Sequence, residues 1–482
     1  MASQQSGSTS PAATQTTGRA VWVPLALAAL CTLVFTLDGS MNIIALPSIA
    51  EEFETSPAGA VWVAVALQFM ILGLALPIGS LSTTFGLRRL FTIGLGVFLV
   101  GLVGAYLSPN LASLIVSRIV QGLGCALFLS TRNAIGTGGF PLEKRGMALG
   151  VIIAAVGIGA ASGPLLGGRL IDSFGWRSIY VMVAPVALVT VTLSVFLLNR
   201  EKRQRLVDFD LVGSALVFLG LGSLMIALNR TSDWGTTSPG IIALTTVGLV
   251  LIIWFVWHEG RVIKPVLDLA LFRSTATVVT SLGLVFQVTG QSAATLVLPF
   301  LLVHSLELSS TTSGALFAIA PAFMFVGSTF GGRVTDRIGA GPIMVVGMVF
   351  QVVGVLLLVL VDETSSLSHI GWALGVMGTG SGMYQTSAGS AQMNAIPSGH
   401  IGTASALFIG LIMLAGSTGA TLGGILMSAS YNSGVTGALQ STLVADGYHT
   451  VAIAGTVILV VGLVNSLYYQ LKIAPGVFRK AG

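Results

Sequence analysis

One acidic side chain, Asp38, falls well inside an apolar segment long enough to span a membrane. The other sixteen of the 17 Asp and Glu residues lie in loops or near helix ends. Asp38 is about eight residues from the end of its predicted span, and an ionisable group there costs roughly 2.5–3.5 kcal/mol on insertion scales. Such a carboxyl group is a candidate for loading and releasing protons. The alternative is an acid that only fixes a helix by hydrogen bonding.

Two arginines lie inside another predicted span, residues 111–139. Arg118 lies seven residues into it, about 10 Å deep at ~1.5 Å per residue, and Asp38 comes out at about 12 Å in its own span. We therefore hypothesise that the two residues face each other across a cavity and that Arg118 tunes the proton affinity of Asp38. A purely structural salt bridge is the alternative.

Arg132 follows Arg118 by fourteen residues, so the two project from roughly the same helix face. If Arg132 contacts a substrate, the buried set is one carboxylate against two guanidiniums, which disfavours a strongly cationic substrate. Snorkelling of Arg132 to the membrane interface would explain it without any function.

Uncharged polar side chains form a second set of candidates. Gln287 and Gln291 are four residues apart and hence share a helix face. Tyr384, Gln385 and Gln392 lie together in a later segment. These residues are candidate solute contacts, and hydrogen bonding between helices is an equally good explanation.

The chain shows no pattern typical of an enzyme. Its five histidines are scattered near predicted membrane interfaces, without metal-ligand spacing and without a nucleophile beside a base. We expect no catalytic residues, no metal, no nucleic-acid partner and no cofactor apart from a proton gradient.

Glycines recur every three or four residues along the fifth apolar segment. The pattern includes Gly159, Gly163, Gly167 and Gly168, with Pro164 among them. Small residues at this spacing make a smooth face for a neighbouring helix, and a proline favours a kink. The pattern indicates either gating movement or tight packing.

The elements that position these residues follow from composition. Hydrophobic residues make up 54% of the chain and charged residues 8%, with a mean hydropathy of +0.93, against about 25% charged residues in soluble domains. Segments of about 20 apolar residues are long enough to span a bilayer. Fourteen such segments are predicted: 21–45, 58–80, 90–107, 111–139, 147–171, 178–198, 211–229, 240–258, 276–303, 312–332, 342–361, 368–394, 401–429 and 449–471.

The distribution of basic residues supports this count. With the N-terminus in the cytosol, 17 of the 22 Lys and Arg fall in cytosolic segments, three fall outside and two lie within a span. This asymmetry is what the positive-inside rule requires. It predicts a multi-pass protein of the cell (cytoplasmic) membrane with both termini in the cytosol.

A short repeat predicts the architecture. Residues 79–86 and 332–339 are predicted to be short cytosolic turns, which begin and end with glycine and follow the second and tenth spans. The chain is therefore expected to be an all-α membrane protein of fourteen transmembrane helices, with two six-helix halves and two extra helices inserted between them. The predicted units are a disordered cytosolic tail, the N-terminal bundle, the inserted pair, the C-terminal bundle and a second cytosolic tail, at 1–20, 21–198, 211–258, 276–471 and 472–482.

Several motifs resemble those of the major facilitator superfamily, specifically its fourteen-helix drug:proton antiporter branch. They are Leu37-Asp38-x-Ser40 with Ala45-Leu46-Pro47, Arg118-Ile-Val-Gln121-Gly122-Leu-Gly124, the glycine pattern ending Gly163-Pro164-x-x-Gly167-Gly168, Gly175-Trp176-Arg177 and Asp208-Phe209-Asp210. The resemblance runs from Leu37 to about Leu471. It implies a role for Arg118 in proton transfer, and it associates the glycine pattern with exporters.

Two departures from the family pattern stand out. Thr83 and Thr84 replace the Asp and Arg usual after the second helix, whereas Asp336 and Arg337 keep those types after the tenth. In the family this acid helps to close the cytosolic gate, so gating is expected to differ here. Ile43 occupies a position where Asn is usual, and an asparagine stands one place earlier.

The function expected from these features is proton-driven export of amphipathic small molecules, such as drugs or secondary metabolites, by a monomer in the lipid bilayer. An importer or facilitator of a sugar, peptide or siderophore on the same fold is the alternative. A membrane-embedded enzyme or sensor is disfavoured, because no loop exceeds about 20 residues and no catalytic cluster is present.

Overall fold

The described part of the chain is entirely helical in its regular structure. The computed structural model describes residues 19–140, 142–198, 210–234, 237–262, 272–361, 365–394, 401–430 and 438–474. Fourteen α-helices occupy these ranges, and α9 and α14 each continue into a short π-helical segment, Leu301–Ser305 and Tyr469–Ile473. The helices are α1 (Arg19–Glu52), α2 (Pro57–Phe85), α3 (Leu87–Tyr106), α4 (Leu111–Thr137), α5 (Leu142–Phe174), α6 (Ser178–Leu197), α7 (Leu211–Trp234), α8 (Pro239–Glu259), α9 (Thr275–Phe300), α10 (Ser310–Ile338), α11 (Ala340–Val359), α12 (Leu367–Asn394), α13 (Ile401–Ser430) and α14 (Ala438–Tyr468).

Each helix coincides with one of the predicted spans. Twelve of them are long and apolar enough to cross a membrane, so the chain is a multi-pass membrane protein. The other two are α7, whose apolar part is the shorter stretch Leu211–Ala227, and α12, which glycine, serine and glutamine interrupt. A membrane-spanning role for these two stays a prediction.

Several helices are longer than the apolar pattern suggests. The prediction that residues 79–86 and 332–339 form turns was wrong, because α2 and α10 continue through them to Phe85 and Ile338. The chain leaves the helix only at Gly86 and Gly339, whose φ angles of 86° and 87° favour glycine. The two repeat segments therefore share the same backbone geometry as well as the same spacing.

The helices pack mainly within two sets. Helices α1–α6 contact one another through pairs such as α1·α5, α2·α4 and α3·α4, and α9–α14 do so through α10·α12, α11·α12 and α9·α13. The main contacts between the sets are α5·α10 and α2·α13. Helices α7 and α8 pack on each other, and α7 also contacts α2 and α13.

Several hydrogen bonds join helix ends at one end of the bundle, which we call the Asp172 end. Asp172 in α5 accepts hydrogen bonds from the first residues of α10, and Ala58 in α2 donates to Ser428 in α13. Glu52 at the end of α1 accepts hydrogen bonds from the α5–α6 junction. Arg88, which donates to Val195, lies at the opposite end.

Glycine permits the closest helix packing within the first set. A methyl group added at Gly124 of α4 would lie only 2.6 Å from the carbonyl oxygen of Gly94 and 2.8 Å from the Cα of Phe98, both in α3. Backbone atoms cannot yield as a flexible side chain can. Gly96, also in α3, has open space where a side chain would begin.

These two glycines give a matched stability test. We expect Gly124→Ala to destabilise the purified protein by about 1–3 kcal/mol, because the methyl group overpacks the α3–α4 contact. Gly96→Ala should be neutral or stabilising, since alanine is favoured over glycine in a helix. The thermal midpoint of each variant in detergent checks this, and equal midpoints for the two would contradict it.

Candidate functional site

The centre of the first helix set contains a buried ion pair. Arg118 Nη1 in α4 lies 2.7 Å from Asp38 Oδ2 in α1, and both side chains are 1% exposed. The structure thus brings together the two charged residues that the sequence places inside spans. Asp38 is the only buried Asp or Glu among the described residues of α1–α6.

The two residues meet although Asp38 lies further from the end of its helix than Arg118 does from the start of its own. Helix α1 continues past its predicted end at residue 45, so Asp38 lies fourteen residues before Glu52, whereas Arg118 lies seven residues after Leu111. The additional turns extend α1 by about 10 Å at the Asp172 end. Pro47 lies inside α1 without ending it, which is why the hydropathy pattern underestimated its length.

Other polar groups hold the Arg118 side chain in place. Its Nε donates to the backbone oxygen of Val63 in α2 at 2.9 Å, and its Nη1 also donates to Gln121 Oε1 at 2.7 Å. Gln121 is three residues after Arg118 and therefore shares its helix face. A buried guanidinium is tolerated only when such partners satisfy its donors.

The carboxylate has its own supporting chain of hydrogen bonds. Asn42 Nδ2 donates to Asp38 Oδ1 at 3.2 Å and to the Asp38 backbone oxygen at 2.7 Å, and Tyr180 in α6 donates its hydroxyl to Asn42 Oδ1 at 2.7 Å. The sequence motif indicated Asn42 only as an asparagine displaced by one position. Its spacing of four residues from Asp38 also predicts that the two side chains share a helix face. Nothing in the sequence pointed to Tyr180.

Arg132 also turns toward α1. Its Nη1 donates to Thr32 Oγ1 at 3.2 Å, and its Nε is buried without a partner among the described residues. The Arg132 side chain is partly exposed, and snorkelling to the membrane interface stays the alternative. Thr32 is six residues from Asp38, so the Arg132 contact lies about 9 Å further along α1.

Five neutral side chains of α9, α11 and α12 form a group that we call the glutamine cluster: Gln287, Gln291, Gln351, Ser381 and Gln385. Gln291 Oε1 accepts from Gln287 Nε2 at 2.8 Å, from Ser381 Oγ at 3.0 Å and from Gln351 Nε2 at 3.5 Å. Gln385 Nε2 donates to Ser381 Oγ at 3.1 Å and to Gln287 Oε1 at 3.3 Å. Sequence spacing indicated three of the glutamines and missed Gln351 and Ser381.

The other two predicted polar contacts lie outside this cluster. Tyr384 is fully buried, and its hydroxyl lies beside Gly283 and the side chain of Asn465. Gln392 Nε2 donates to Ser281 Oγ at 3.2 Å. In this conformation Tyr384 offers no exposed surface to a solute, because its position next to Gln385 turns it to another face of α12.

The glycines of α5 form a seam against α1. A methyl group at Gly159 would overlap Thr36 Oγ1, and one at Gly163 would overlap Ser40 Oγ. Gly167 continues the seam, with Met41 2.9 Å from the position of an added methyl group. The four-residue spacing therefore lets α5 approach the same helix that carries Asp38.

The same segment of α5 packs on α10 through its other face. The carbonyl oxygen of Pro164 closely approaches Gly314, and Gly168 closely approaches the carbonyl oxygen of Ser310. One turn further on, Asp172 Oδ1 accepts from the backbone N–H of Ser310 at 2.9 Å.

Asp172 caps the start of α10. Its Oδ2 accepts from the backbone N–H of Thr311 at 2.7 Å, so both carboxylate oxygens bond to the first turn of a helix in the other set. A carboxylate at this position is also stabilised by the helix dipole. Asp172 was not among the predicted site residues, although it follows Gly168 by four residues and so extends the same helix face.

Asp336 and Arg337 are exposed in the last turn of α10, at the end of the bundle opposite Asp172. Their part in closing that end stays a prediction. The side chains of Thr83 and Thr84 lie outside the described residues.

The fold and the site define a multi-pass helical membrane protein with a buried charge pair. A family model described as Major Facilitator Superfamily matches residues 28–420 and 280–477. The chain belongs to the major facilitator superfamily, and it is a transporter rather than an enzyme.

Curated relatives include both resistance proteins and a vitamin transporter. Multidrug resistance protein Stp of Mycobacterium tuberculosis is 29% identical over 80% of this chain and 71% of its own length. Riboflavin transporter RibZ of Clostridioides difficile is 28% identical over 78% of this chain and 81% of its own. The Tetracenomycin C resistance and export protein of Streptomyces glaucescens is 25% identical over 85% and 76%.

Solved structures share the fold at low sequence identity. A bacterial homologue of the human lysosomal transporter Spinster, in an inward-facing and unoccupied conformation, is 15% identical with a TM-score of 0.68, covering 94% of this chain and 97% of its own. A POT family transporter in complex with a thioalcohol-conjugated peptide is 14% identical with a TM-score of 0.69, covering 95% and 97%.

The Asp172 contact can be tested by distance measurement. We expect Asp172→Ala to increase the population in which α5 and α10 are separated, because two backbone N–H groups lose their charged acceptor. Spin labels at positions 173 and 312 report this separation by electron–electron double resonance.

The exposed Asp446 in α14 provides the control, since Asp446→Ala removes a charge without removing a bond between the helix sets. Identical distance distributions for the two variants would mean that Asp172 does not hold the helices together.

Proposed function

We propose that this protein exports amphipathic small molecules, drugs or secondary metabolites, across the cytoplasmic membrane in exchange for protons. Fourteen spans, two six-helix halves with α7 and α8 inserted between them, and cytosolic termini complete the proposal. The observation that carries it is the buried Asp38–Arg118 pair at 2.7 Å. No cofactor other than the proton gradient is required.

The chemistry of the pair suits proton coupling. A proton on Asp38 would neutralise its carboxylate and leave Arg118 without its counter-charge in a low-dielectric environment. The helices would then favour an arrangement in which the guanidinium finds other partners or water. Proton and substrate drive each other only if both affinities differ between the two arrangements.

With both termini in the cytosol, as the positive-inside rule predicts, the Asp172 end would lie outside the cell. The described hydrogen bonds between the two helix sets, including Asp172 to α10 and Ala58 to Ser428, lie toward this end. Gln68 in α2 and Ser417 in α13 add a bond of 3.1 Å on the same interface. The conformation therefore corresponds to a carrier closed to the outside, and rocking of the halves would break these bonds.

The proposed direction of transport rests on the names of the relatives and on the glycine pattern of α5, which resembles a pattern associated with exporters. Two of the relatives carry resistance or export in their names, which favours export. An importer or facilitator of another small solute is the second candidate, since one relative is named a riboflavin transporter without a stated direction. The uncharged glutamine cluster suits a neutral solute. Arg132 adds a positive charge that disfavours strongly cationic substrates.

Removal of the titratable group tests proton coupling. In everted vesicles with an acidified lumen, wild-type protein should accumulate a fluorescent substrate, and Asp38→Asn should lose at least tenfold of the gradient-driven accumulation. Substrate exchange without a proton gradient should persist in Asp38→Asn, because the amide retains the shape of the site.

Asp446→Asn is the matched control and should accumulate substrate as the wild type does, since the Asp446 side chain is exposed. The proposal fails if Asp38→Asn still builds a substrate gradient from a pH gradient. Accumulation in right-side-out vesicles with an acidified exterior would support uptake instead.

A further inference from the structure

Two glutamines of the glutamine cluster each leave half of their amide group open. Gln291 uses its oxygen as the acceptor of three hydrogen bonds, and its Nε2 has no hydrogen bond to any described residue. Gln385 does the reverse, because its Nε2 donates twice and its Oε1 accepts nothing from the described residues. A free donor and a free acceptor therefore stand on neighbouring side chains.

The surrounding bonds set the orientation of each amide relative to its neighbours. Ser381 Oγ donates to Gln291 Oε1 and accepts from Gln385 Nε2, so it bridges the two amides directly. Gln287 bridges them a second time, with its Nε2 to Gln291 and its Oε1 to Gln385. Turning the Gln291 amide around would place its N–H groups against those of Gln287 and Gln351. Turning the Gln385 amide around would place its oxygen against the Gln287 oxygen.

Gln291 and Gln385 lie on helix faces turned away from the lipid-facing residues. On α9, Leu282 is 46% exposed as expected for a lipid-facing residue, and Gln291 follows it by nine residues, about 180° around the helix. On α12, Trp372 is 68% exposed, and Gln385 follows it by thirteen residues, about 220° around. Both glutamines are partly exposed on the face away from the apolar surface.

The neighbourhood is polar but uncharged. Among the described residues of α9–α14, no Asp, Glu, Lys or Arg is buried. A charged group entering this site would lose its hydration without an ionic partner, which is unfavourable. A neutral group with matching hydrogen-bond atoms loses little, because the open amide atoms replace the water it gives up.

We propose that Gln291 and Gln385 bind the amide, lactam or imide edge of an uncharged substrate. In this arrangement Gln291 Nε2 donates to the substrate carbonyl, and Gln385 Oε1 accepts from the adjacent substrate N–H. The proposal rests on the proposed transport function and adds the substrate class. It makes the glutamine cluster the part of the protein that distinguishes one neutral solute from another.

A pair of probes that differ by one methyl group tests this proposal. 4-Amino-1,8-naphthalimide carries an imide N–H between two carbonyls, and its N-methyl derivative keeps the carbonyls and the planar ring but loses that donor. Fluorescence titration of the wild-type protein in lipid nanodiscs should show at least tenfold tighter binding of the N–H probe. A site built around a hydrogen bond discriminates strongly against an analogue that lacks it.

Variants assign the preference to the cluster. In Gln385→Met the ratio of the two affinities should fall to about one, because the acceptor for the imide N–H is gone. Gln392→Met is the matched control, a glutamine on the same helix whose bond to Ser281 lies outside the cluster, and it should keep the wild-type ratio. The ratio is internal to each preparation, so a change in folded yield does not affect it.

Any of four other results would overturn the proposal. Equal affinities in the wild type, no binding of either probe, or a preserved ratio in Gln385→Met would exclude imide recognition by these glutamines. A ratio lost equally in Gln392→Met would exclude a specific role for the cluster. Proton coupling through Asp38 is measured separately, so its failure and the failure of this proposal are distinguishable.

Discussion

The structure of the first helix set depends on two opposite charges buried together in a protein interior shielded by lipid. Asp38 and Arg118 are both 1% exposed, and each would be strongly unfavourable there without the other. Further hydrogen bonds to α2, α4 and α1 itself support the pair, so several helices must keep their positions for it to exist. A single proton can upset this balance, because it removes one charge and leaves the other uncompensated.

The interface between the helix sets depends on small residues rather than on buried charges. Glycines of α5 bring its backbone against both α1 and α10, and the contact with α10 is made by backbone atoms at Pro164 and Gly168. Such a surface has few interlocking side chains, so movement along it meets little steric resistance. Asp172 is the exception, since it fixes the start of α10 by two charge-assisted bonds. Two polar bonds on a surface of small residues suit an interface that opens and closes.

Sequence alone predicted the number and order of the helices, because runs of apolar residues and the placement of basic residues constrain a membrane protein strongly. It also indicated the meeting of Asp38 and Arg118, since charges inside a membrane need partners. The partners of Tyr180 and Asp172 could not be found this way, because they are more than a hundred residues distant in the chain. The direction of Tyr384 was missed for a related reason: helix periodicity predicts which residues share a face, but not which neighbour that face meets.

The central claim is that Asp38 exchanges a proton as the carrier works. Infrared difference spectroscopy of the protein in lipid, recorded on addition of substrate at constant pH, follows the C=O stretching band of a protonated carboxyl group directly. The account predicts that substrate removes such a band in the wild type, with release of about one proton per bound molecule, and that Asp38→Asn shows neither change. A wild-type spectrum without any carboxyl band that responds to substrate, or the same band in Asp38→Asn, would contradict it.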